Sequence, residues 1–330
     1  FSNSESHLGL HVDDALIVTF GPPPKDLLDF LRSKYGQNSI TEVEMNNRRT
    51  PLLGMHWTVD NANKTCVIDQ TEFIDQLLRD TGMQDCIPNP LPAPAGEHLF
   101  AQQEVGADPE YISHVGALMW LSNHTRPDIA FAVKELARHT LHNGEPHRQR
   151  VKQVLRYLKG TRTLGLTLRG GELVLSGYVD ASYAECKDTR KSTTGFVLAL
   201  GSSVICHKST TQPSVATSSC EAELYAAFEA TLHIEYFRNI LSFLGMPQNK
   251  PTIVHTDSQS AMALLERPAP DKRSKHIDVR FFRCKQSRDN QLVEFYFSPS
   301  TTLVPDVMTK ATARARHTML TMPMMEGRME

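Results

Sequence analysis

Apolar and polar positions follow one another in the second half of the chain as they do in a mixed α/β domain. From residue 172 the pattern predicts three strands separated by short turns, in the segments ELVLSGYVD, TTGFVLALG and SVICHK. A long amphipathic helix should follow, with Ser218 or Ser219 as its N-cap and Gly245 just beyond its end.

The remaining elements of this half continue the alternation of strands and helices. A fourth strand (PTIVHTD), a short helix (SQSAMALLE) and a fifth strand (LVEFYF) come next, and a final helix begins near Pro305. A meander, a helix, a strand, a helix, a strand and a helix predict an α/β fold with a mixed five-stranded sheet and flanking helices.

The first half predicts smaller elements of an α+β character. LGLHVDDALIVTF reads as a hairpin with Asp13 and Asp14 at its tip, and LLDFLRSKYG as a short helix that ends at Gly36. PLLGMHWTVD alternates like one strand, and TCVIDQ returns as a second strand before the helix EFIDQLLRDTGM.

The middle of the chain is a linker followed by helices. Residues 87–106 are rich in Pro, Ala and Gly, which is typical of an extended linker. Residues 111–140 give two helical patterns split at Arg126 and Pro127, and a further helix is expected over 147–161. The Met-rich segment 319–329 is expected to be a frayed terminus.

Composition describes an ordinary globular protein. The 330 residues carry a formal net charge of −2, with 40% hydrophobic and 22% charged residues. Any nucleic-acid-binding surface must therefore be local. We find neither an apolar run of membrane-spanning length nor a secretory signal. The six cysteines are far apart, which favours reduced intracellular thiols over a zinc site or a disulfide framework.

A stretch between positions 148 and 169 contains basic residues and no acid. It is either a solvated helix face or a stripe that follows a nucleic-acid backbone, and the one-signed charge favours the stripe. Its predicted phosphate-contacting residues are Arg148, Arg150, Lys152, Arg156 and Lys159. A second basic segment, with Lys275, His276 and Arg280, is interpreted in the same way, with a solvated loop as the alternative.

Four acids stand at the edges of predicted elements, as a metal-dependent phosphodiester site requires. They are Asp180, Glu223, Asp257 and Asp306. Carboxylate oxygens are the ligands that Mg²⁺ prefers, and unmetallated acids packed together repel one another. Alternatives remain for each, since Asp180 could be a turn residue, Asp257 a helix N-cap and Asp306 a favourable first-turn acid.

The predicted long helix offers two glutamates, and only one can face the other acids. Glu221 and Glu223 are two positions apart and therefore point to roughly opposite sides of the helix. Glu223 is favoured because a small-residue face, with Ala226, Ala227 and Ala230, continues from it.

These motifs occur in an order that resembles the ribonuclease H domain of Ty1/copia retrotransposon polyproteins. After the acid at Asp180 come DxRKSTTG (188–195), SSxEAE (218–223) and TDSQSA (256–261). KHIDVR (275–280) and DxxTK (306–310) complete the series. Any one of these motifs is weak alone, but six in order are specific.

The resemblance extends to the first half of the chain. HVDD, at 11–14, is similar to the YVDD motif of reverse transcriptases, with His11 in the place of Tyr. Asp13 and Asp14 would be vestigial metal ligands whose third partner lies outside the chain. Because the chain starts at Phe1, close to this motif, we interpret it as a fragment and expect no DNA synthesis from it.

The family therefore implies three segments. Residues 1–86 would be the end of a reverse-transcriptase palm with the thumb, 87–171 the linker and helical connection, and 172–330 a ribonuclease H-like domain.

The family also implies an activity, namely cleavage of the RNA strand of RNA–DNA hybrids with two Mg²⁺ or Mn²⁺ ions. One ion would be held chiefly by Asp180 and Asp306, and the other by Asp257 and Glu223. The partners would be the hybrid and the rest of the Pol polyprotein, without a membrane. The expected location is intracellular, in cytoplasmic virus-like particles, with the nucleus as a further compartment.

Some departures from the family keep other hypotheses open. The first-strand motif is DASYAE, where the family usually has a second acid and Trp, and the loop SPSTTLV before Asp306 contains no histidine. A catalytically inactive nucleic-acid-binding remnant is one alternative. A transposase or integrase is another, although the position of Glu223 before the fourth strand argues against it.

Overall fold

The structure is a computed structural model of the chain. It describes residues 6–11, 14–19, 25–36, 43, 45–102, 106–266 and 278–326.

The strands of this described chain fall into three sheets. In sequence order they are β1 (Ser6–His11), β2 (Asp14–Thr19), β3 (Arg49–Leu52), β4 (Met55–Asp60), β5 (Thr65–Asp69), β6 (Gly165–Arg169), β7 (Leu175–Ser182), β8 (Thr193–Leu200), β9 (Ser203–Thr211), β10 (Thr252–Thr256), β11 (Val293–Phe297) and β12 (Met325–Glu326).

The described part of the chain also contains α-helices. They are α1 (Lys25–Tyr35), α2 (Thr71–Asp80), α3 (Pro109–His124), α4 (Ala130–Ala137), α5 (Glu145–Gly160), α6 (Ser219–Phe243), α7 (Gln259–Glu266), α8 (Asp278–Asp289), α9 (Asp306–Thr309) and α10 (Arg314–Thr321). No helix in the described part of the chain is both long and apolar enough to cross a bilayer.

The mixed sheet has the five strands expected from the sequence, in the order β11-β10-β7-β8-β9. β7, β8 and β9 form an antiparallel meander, whereas β10 lies parallel to both β7 and β11. The fold class predicted from the hydrophobic pattern, an α/β fold with a mixed five-stranded sheet and flanking helices, is therefore confirmed, and this sheet is the one expected from the ribonuclease H-like resemblance.

Helix α6 packs along this sheet through its small and aliphatic side chains. Ala226, Ala230 and Ile234 are buried against Val179 and Val254 in one core. Gly177 lets the helix approach, since a Cβ at this position would lie 3.1 Å from Ile234 Cδ1. The long helix is therefore fixed with its first turns at the edge where the predicted acids lie.

A second sheet, in the order β12-β6-β5-β4-β3, is antiparallel throughout and was not anticipated. Its strands come from each of the three segments predicted from the sequence. The boundaries 1–86, 87–171 and 172–330 stay a prediction, but the segments share this sheet.

Two local expectations are wrong in this region. Residues 51–60 do not form one strand, because Leu53 and Gly54 turn the chain between β3 and β4 with φ angles of 54° and 71°. Positive φ at both central positions is the geometry of the type I′ hairpin turn. The Met-rich tail is not frayed up to residue 326, since Met324 and Met325 are buried.

A buried charged cluster ties the connection helices to the C-terminal part of the chain. Arg126 is fully buried and donates to both carboxylate oxygens of Asp128, at 3.0 and 2.7 Å, and to Thr161. Tyr157 donates to Asp128 Oδ2 at 2.7 Å, and His317 Nε2 bonds to the Asp128 carbonyl oxygen at 2.9 Å. These contacts join α5 and α10 to the turn between α3 and α4.

We expect Arg126→Met to destabilise the protein by about 3–5 kcal/mol, because it leaves the Asp128 carboxylate buried without a counter-charge. The measurement is the free energy of unfolding in urea. The matched control is Arg148→Met, which removes a half-exposed pair with Asp108 at 2.8 Å and should cost less than about 1 kcal/mol. Equal losses in the two variants would contradict a structural role for the buried pair.

Candidate active site

Asp180 lies on β7, two residues before the strand ends, opposite Gly195 of β8. Gly195 allows α9 to pack directly on the sheet, because a Cβ there would lie 2.6 Å from Thr309 Cγ2 and 2.9 Å from Met308 Cβ. The close approach brings the Thr309 hydroxyl to Asp180 Oδ2, to which it donates a hydrogen bond. The last residue of the DxRKSTTG motif thus has a steric function beside the first acid.

Glu223 lies in the second turn of α6, and the start of this helix decides which glutamate faces the sheet. Ser218 is the N-cap, and its hydroxyl accepts from the Glu221 amide. The Glu221 carboxylate turns back and accepts from the Thr217 amide and hydroxyl at 2.7 and 2.8 Å. Glu221 is therefore used in capping the helix, whereas the Glu223 carboxylate points to the other acids.

Asp257 follows the last residue of β10, the parallel neighbour of β7. Tyr178 and His255 are paired in this register, so Asp180 and Asp257, two positions further on, lie side by side. Ser258, and not Asp257, caps α7, because its hydroxyl accepts from the Ala261 amide at 3.2 Å.

The structure thus brings three of the four predicted acids together. Carboxylate oxygens of Asp180, Glu223 and Asp257 all lie within 4.8 Å of one another. Asp180 and Glu223 are buried and Asp257 is half-buried, so the group has one open side. A group of this kind can bind a divalent cation between its oxygens.

Among the described residues no cation pairs directly with these three carboxylates, although the charge of Lys310 acts on Asp180 and Glu223. Burial, and then the charges of Asp180 and Asp257, raise the pKa of Glu223 to about 9. Burial also raises the pKa of Asp180, although the Thr309 hydroxyl opposes the shift. Glu223 Oε2 is buried without a hydrogen-bond partner among the described residues. An all-carboxylate set with one unpaired buried oxygen fits a hard divalent ion such as Mg²⁺ or Mn²⁺.

Asp306, the fourth predicted acid, is buried at the start of α9 but does not belong to this group. Lys310 Nζ lies 2.5 Å from Asp306 Oδ1, and Arg316 Nε lies 2.5 Å from Oδ2. Both carboxylate oxygens are therefore held by cations.

The predicted polymerase remnant is only partly described. The hairpin of β1 and β2 is present, and Asp14 is exposed at the start of β2, paired with His11. Asp13 lies outside the described residues, so a metal role for this pair stays a prediction.

The first basic stripe is less uniform than its sequence suggests. Arg150 is buried and pairs with Glu97 at 3.1 Å, so it does not lie on an open surface. Arg148 pairs with Asp108 and Glu145, and Arg156 donates to the Ile87 carbonyl oxygen. Lys152 is exposed and Lys159 half-buried. Nucleic-acid binding by this stripe stays a prediction, and Arg150 is its weakest member.

The second basic segment is mostly beyond what the structure describes. Lys275 and His276 lie outside the described residues. Arg280, in the first turn of α8, places its guanidinium 4.1 Å from the centre of the Tyr225 ring. Tyr225 is two residues beyond Glu223 on the same helix and therefore points to a different side of it, and a contact of Arg280 with nucleic acid stays a prediction.

Three residues near the acids were missed from the sequence. Thr309 and Lys310 belong to the DxxTK motif that contains Asp306, so the motif could have indicated that they lie near the acids. Arg316 had none, because a single Arg ten residues beyond Asp306 looks like any surface cation.

A second group of possible metal ligands has a simpler explanation. His56, Asp69 and Glu72 bring ligand atoms within 4.8 Å of one another, but Arg49 donates to both carboxylates. Asp69 also accepts from Thr71 at the start of α2. The charges of this group are thus compensated within the protein.

Comparisons with known proteins place the chain in a family. No protein-family model matches it. The Retrovirus-related Pol polyprotein from transposon TNT 1-94 of Nicotiana tabacum is 31% identical over 315 residues, which cover 92% of this chain and 23% of that protein. The putative transposon Ty5-1 protein YCL074W of Saccharomyces cerevisiae is 36% identical over 238 residues, 71% of this chain and 75% of that protein. The chain belongs to the Ty1/copia-type retrotransposon Pol polyproteins.

This Pol chain spans less than a quarter of the tobacco polyprotein. Among solved structures, a foamy viral protease-reverse transcriptase in complex with an RNA/DNA hybrid gives a TM-score of 0.46 at 13% identity, over 89% of this chain and 36% of that one. A TM-score at this level does not establish a shared fold, so the fold assignment depends on the strand order described above.

We expect Gly195→Ala to lower the stability of the Pol chain by about 1–3 kcal/mol, because the added methyl group overlaps α9. The matched control is Gly116→Ala in α3, where a Cβ would meet nothing within 4 Å. This change should instead raise stability by about 0.5–1 kcal/mol, since Ala is the better helix former. Urea denaturation measures both, and a neutral Gly195→Ala would refute the close packing of α9.

We expect the metal-free Pol chain to lose stability as pH rises from the ordinary pKa of Glu223, 4.5, towards about 9, because the folded state holds this proton and the unfolded state releases it. Glu223→Gln removes this cost. At about pH 8 it should be more stable than the wild type by on the order of a few kcal/mol, and the difference should vanish near about pH 4.

Urea denaturation at several pH values in the presence of a chelator measures this difference. Glu221→Gln is the control and should gain no stability, because its carboxylate accepts hydrogen bonds at the helix start. A pH-independent difference between Glu223→Gln and the wild type would contradict the shifted pKa.

Proposed function

We propose that this Pol segment is a metal-dependent endonuclease, a ribonuclease H that cleaves the RNA strand of RNA–DNA hybrids. The observation that carries the proposal is the convergence of Asp180, Glu223 and Asp257, which come from three separate elements, within 4.8 Å. The family membership supports a retroelement role, and the fit of the carboxylates to a hard cation supports the choice of Mg²⁺ or Mn²⁺.

Each acid would contribute through its position. Asp257, which is half-buried, lies on the open side, where a phosphate could approach, whereas Asp180 and Glu223 are buried behind it. Asp180, Glu223 and Asp257 would hold the ions, with Asp306 completing the set. Two ions bound there would supply an activated water and stabilise the departing 3′ oxygen.

The partners follow from the same proposal. The substrate would be an RNA–DNA hybrid recognised by its duplex shape and its 2′-hydroxyl groups, and the protein would act as part of the larger Pol polyprotein in cytoplasmic virus-like particles and the nucleus. Among the predicted contacts with its backbone phosphates, Lys152 is exposed on α5, and Arg280 is half-buried against the ring of Tyr225.

We expect cleavage of a labelled RNA–DNA hybrid with Mg²⁺ or Mn²⁺, and Asp257→Asn should lower its rate by about two orders of magnitude or more. The control is Asp289→Asn, which changes an exposed acid at the end of α8 that pairs with Arg288 at 3.0 Å. This variant should cleave as the wild type does.

Equal cleavage by Asp257→Asn and the wild type would remove this site from the proposal. Hybrid binding by the wild type without any metal-dependent cleavage would instead select the alternative, a catalytically inactive nucleic-acid-binding remnant. Fluorescence anisotropy with the same labelled hybrid separates these results.

A further inference from the structure

Asp306 is the predicted fourth metal ligand, but neither of its oxygens is open to an ion. Lys310 Nζ lies 2.5 Å from Oδ1 and Arg316 Nε 2.5 Å from Oδ2. The side chain of Asp306 is only 3% exposed, so an ion cannot reach it from another direction without displacing a partner. One of the two cations has to leave before Asp306 can bind a metal.

The two cations are held very differently. The Arg316 guanidinium also donates to the carbonyl oxygens of Ser300 and Thr301, so its release would break several bonds. The side chain of Lys310 is 52% exposed, and its ammonium is carried on a flexible four-carbon stem. Lys310 is therefore the partner that can move into solvent at low cost.

Lys310 also lies where the charge of a cation is needed. Its neighbour Thr309 donates to Asp180, so the end of α9 touches both Asp180 and Asp306. The ammonium thus compensates acids that a divalent ion would otherwise compensate.

On the basis of the proposed function, we propose that Lys310 is a placeholder cation for the second metal ion. Its ammonium holds Asp306 while the site lacks that ion and gives up Oδ1 when the ion binds, while Arg316 keeps the carboxylate in place. Asp180, Glu223 and Asp257 are already assembled and need no such exchange. The first ion therefore does not have to displace Lys310, whereas the second binds in direct competition with it.

The experiment is a Mn²⁺ titration of the whole metal-free chain without nucleic acid, followed by isothermal calorimetry and by the electron paramagnetic resonance signal of free Mn²⁺. The wild type should bind one ion tightly and a second one weakly. Lys310→Gln removes the competing charge. It should raise the affinity for the second ion by about tenfold and change the affinity for the first ion much less. Lys310→Arg keeps the charge, and it should bind the second ion as weakly as the wild type does.

A general effect of net charge needs its own control. Lys208→Gln removes a partly exposed lysine of β9. The ammonium of Lys208 pairs at 3.0 Å with Glu229, which lies in the third turn of α6. This variant should bind both ions as the wild type does. Equal tightening by Lys208→Gln and Lys310→Gln would overturn the placeholder role, because removal of any positive charge would then suffice.

Two further results would also overturn it. One is an affinity for the second ion that is the same in Lys310→Gln as in the wild type. The other is binding of only one ion by both the wild type and Lys310→Gln. A failure of the proposed function would give a different result, because the protein would bind both ions and still not cleave the hybrid. Glu223→Gln, which should weaken the first ion, shows in the same titration which ion belongs to the three assembled acids.

Discussion

Mutual repulsion of carboxylates in a small, partly buried volume is the constraint on which this part of the structure depends. Asp180, Glu223 and Asp257 lie within 4.8 Å of one another, and burial makes their charged forms costly. A chain that stabilised only its own fold would not place them so. The surrounding structure has to hold them there, and it does so with backbone geometry more than with compensating charges.

That geometry has three independent sources. The parallel pairing of β7 and β10 sets Asp257 beside Asp180, and the capped start of α6 directs Glu223 to the same place. The absence of a side chain at Gly195 admits α9. Gln212, which is buried, links two of these parts by donating to Thr194 on β8 and to the Ala222 carbonyl oxygen on α6. Strand pairing, helix capping and close packing therefore position the three acids without a ligand.

Local patterns were sufficient to predict the mixed sheet and the grouping of three acids, because strand ends and helix caps are determined by nearby residues. Helix periodicity showed that only one of Glu221 and Glu223 can face the other acids, and the small-residue face next to Glu223 favoured that residue. Contacts between distant segments could not be predicted in this way. The pairing of β6 with β5 and β12, the burial of Arg150 against Glu97, and the contact of Arg316 with Asp306 all depend on tertiary packing. Short polar or basic segments carry no periodic signal that would indicate such partners.

The second sheet has a consequence for the order in which the chain can fold during synthesis. Its edge strand β12 follows the last strand of the mixed sheet, β11, by almost thirty residues, whereas β3, β4 and β5 are made long before. On the ribosome the mixed sheet can therefore form first. Until β12 is synthesised, the sheet of β3, β4, β5 and β6 has β6 as an unpaired edge strand. An unpaired strand edge of this kind is open to pairing with other chains, so the nascent protein carries an aggregation-prone edge until β12 emerges.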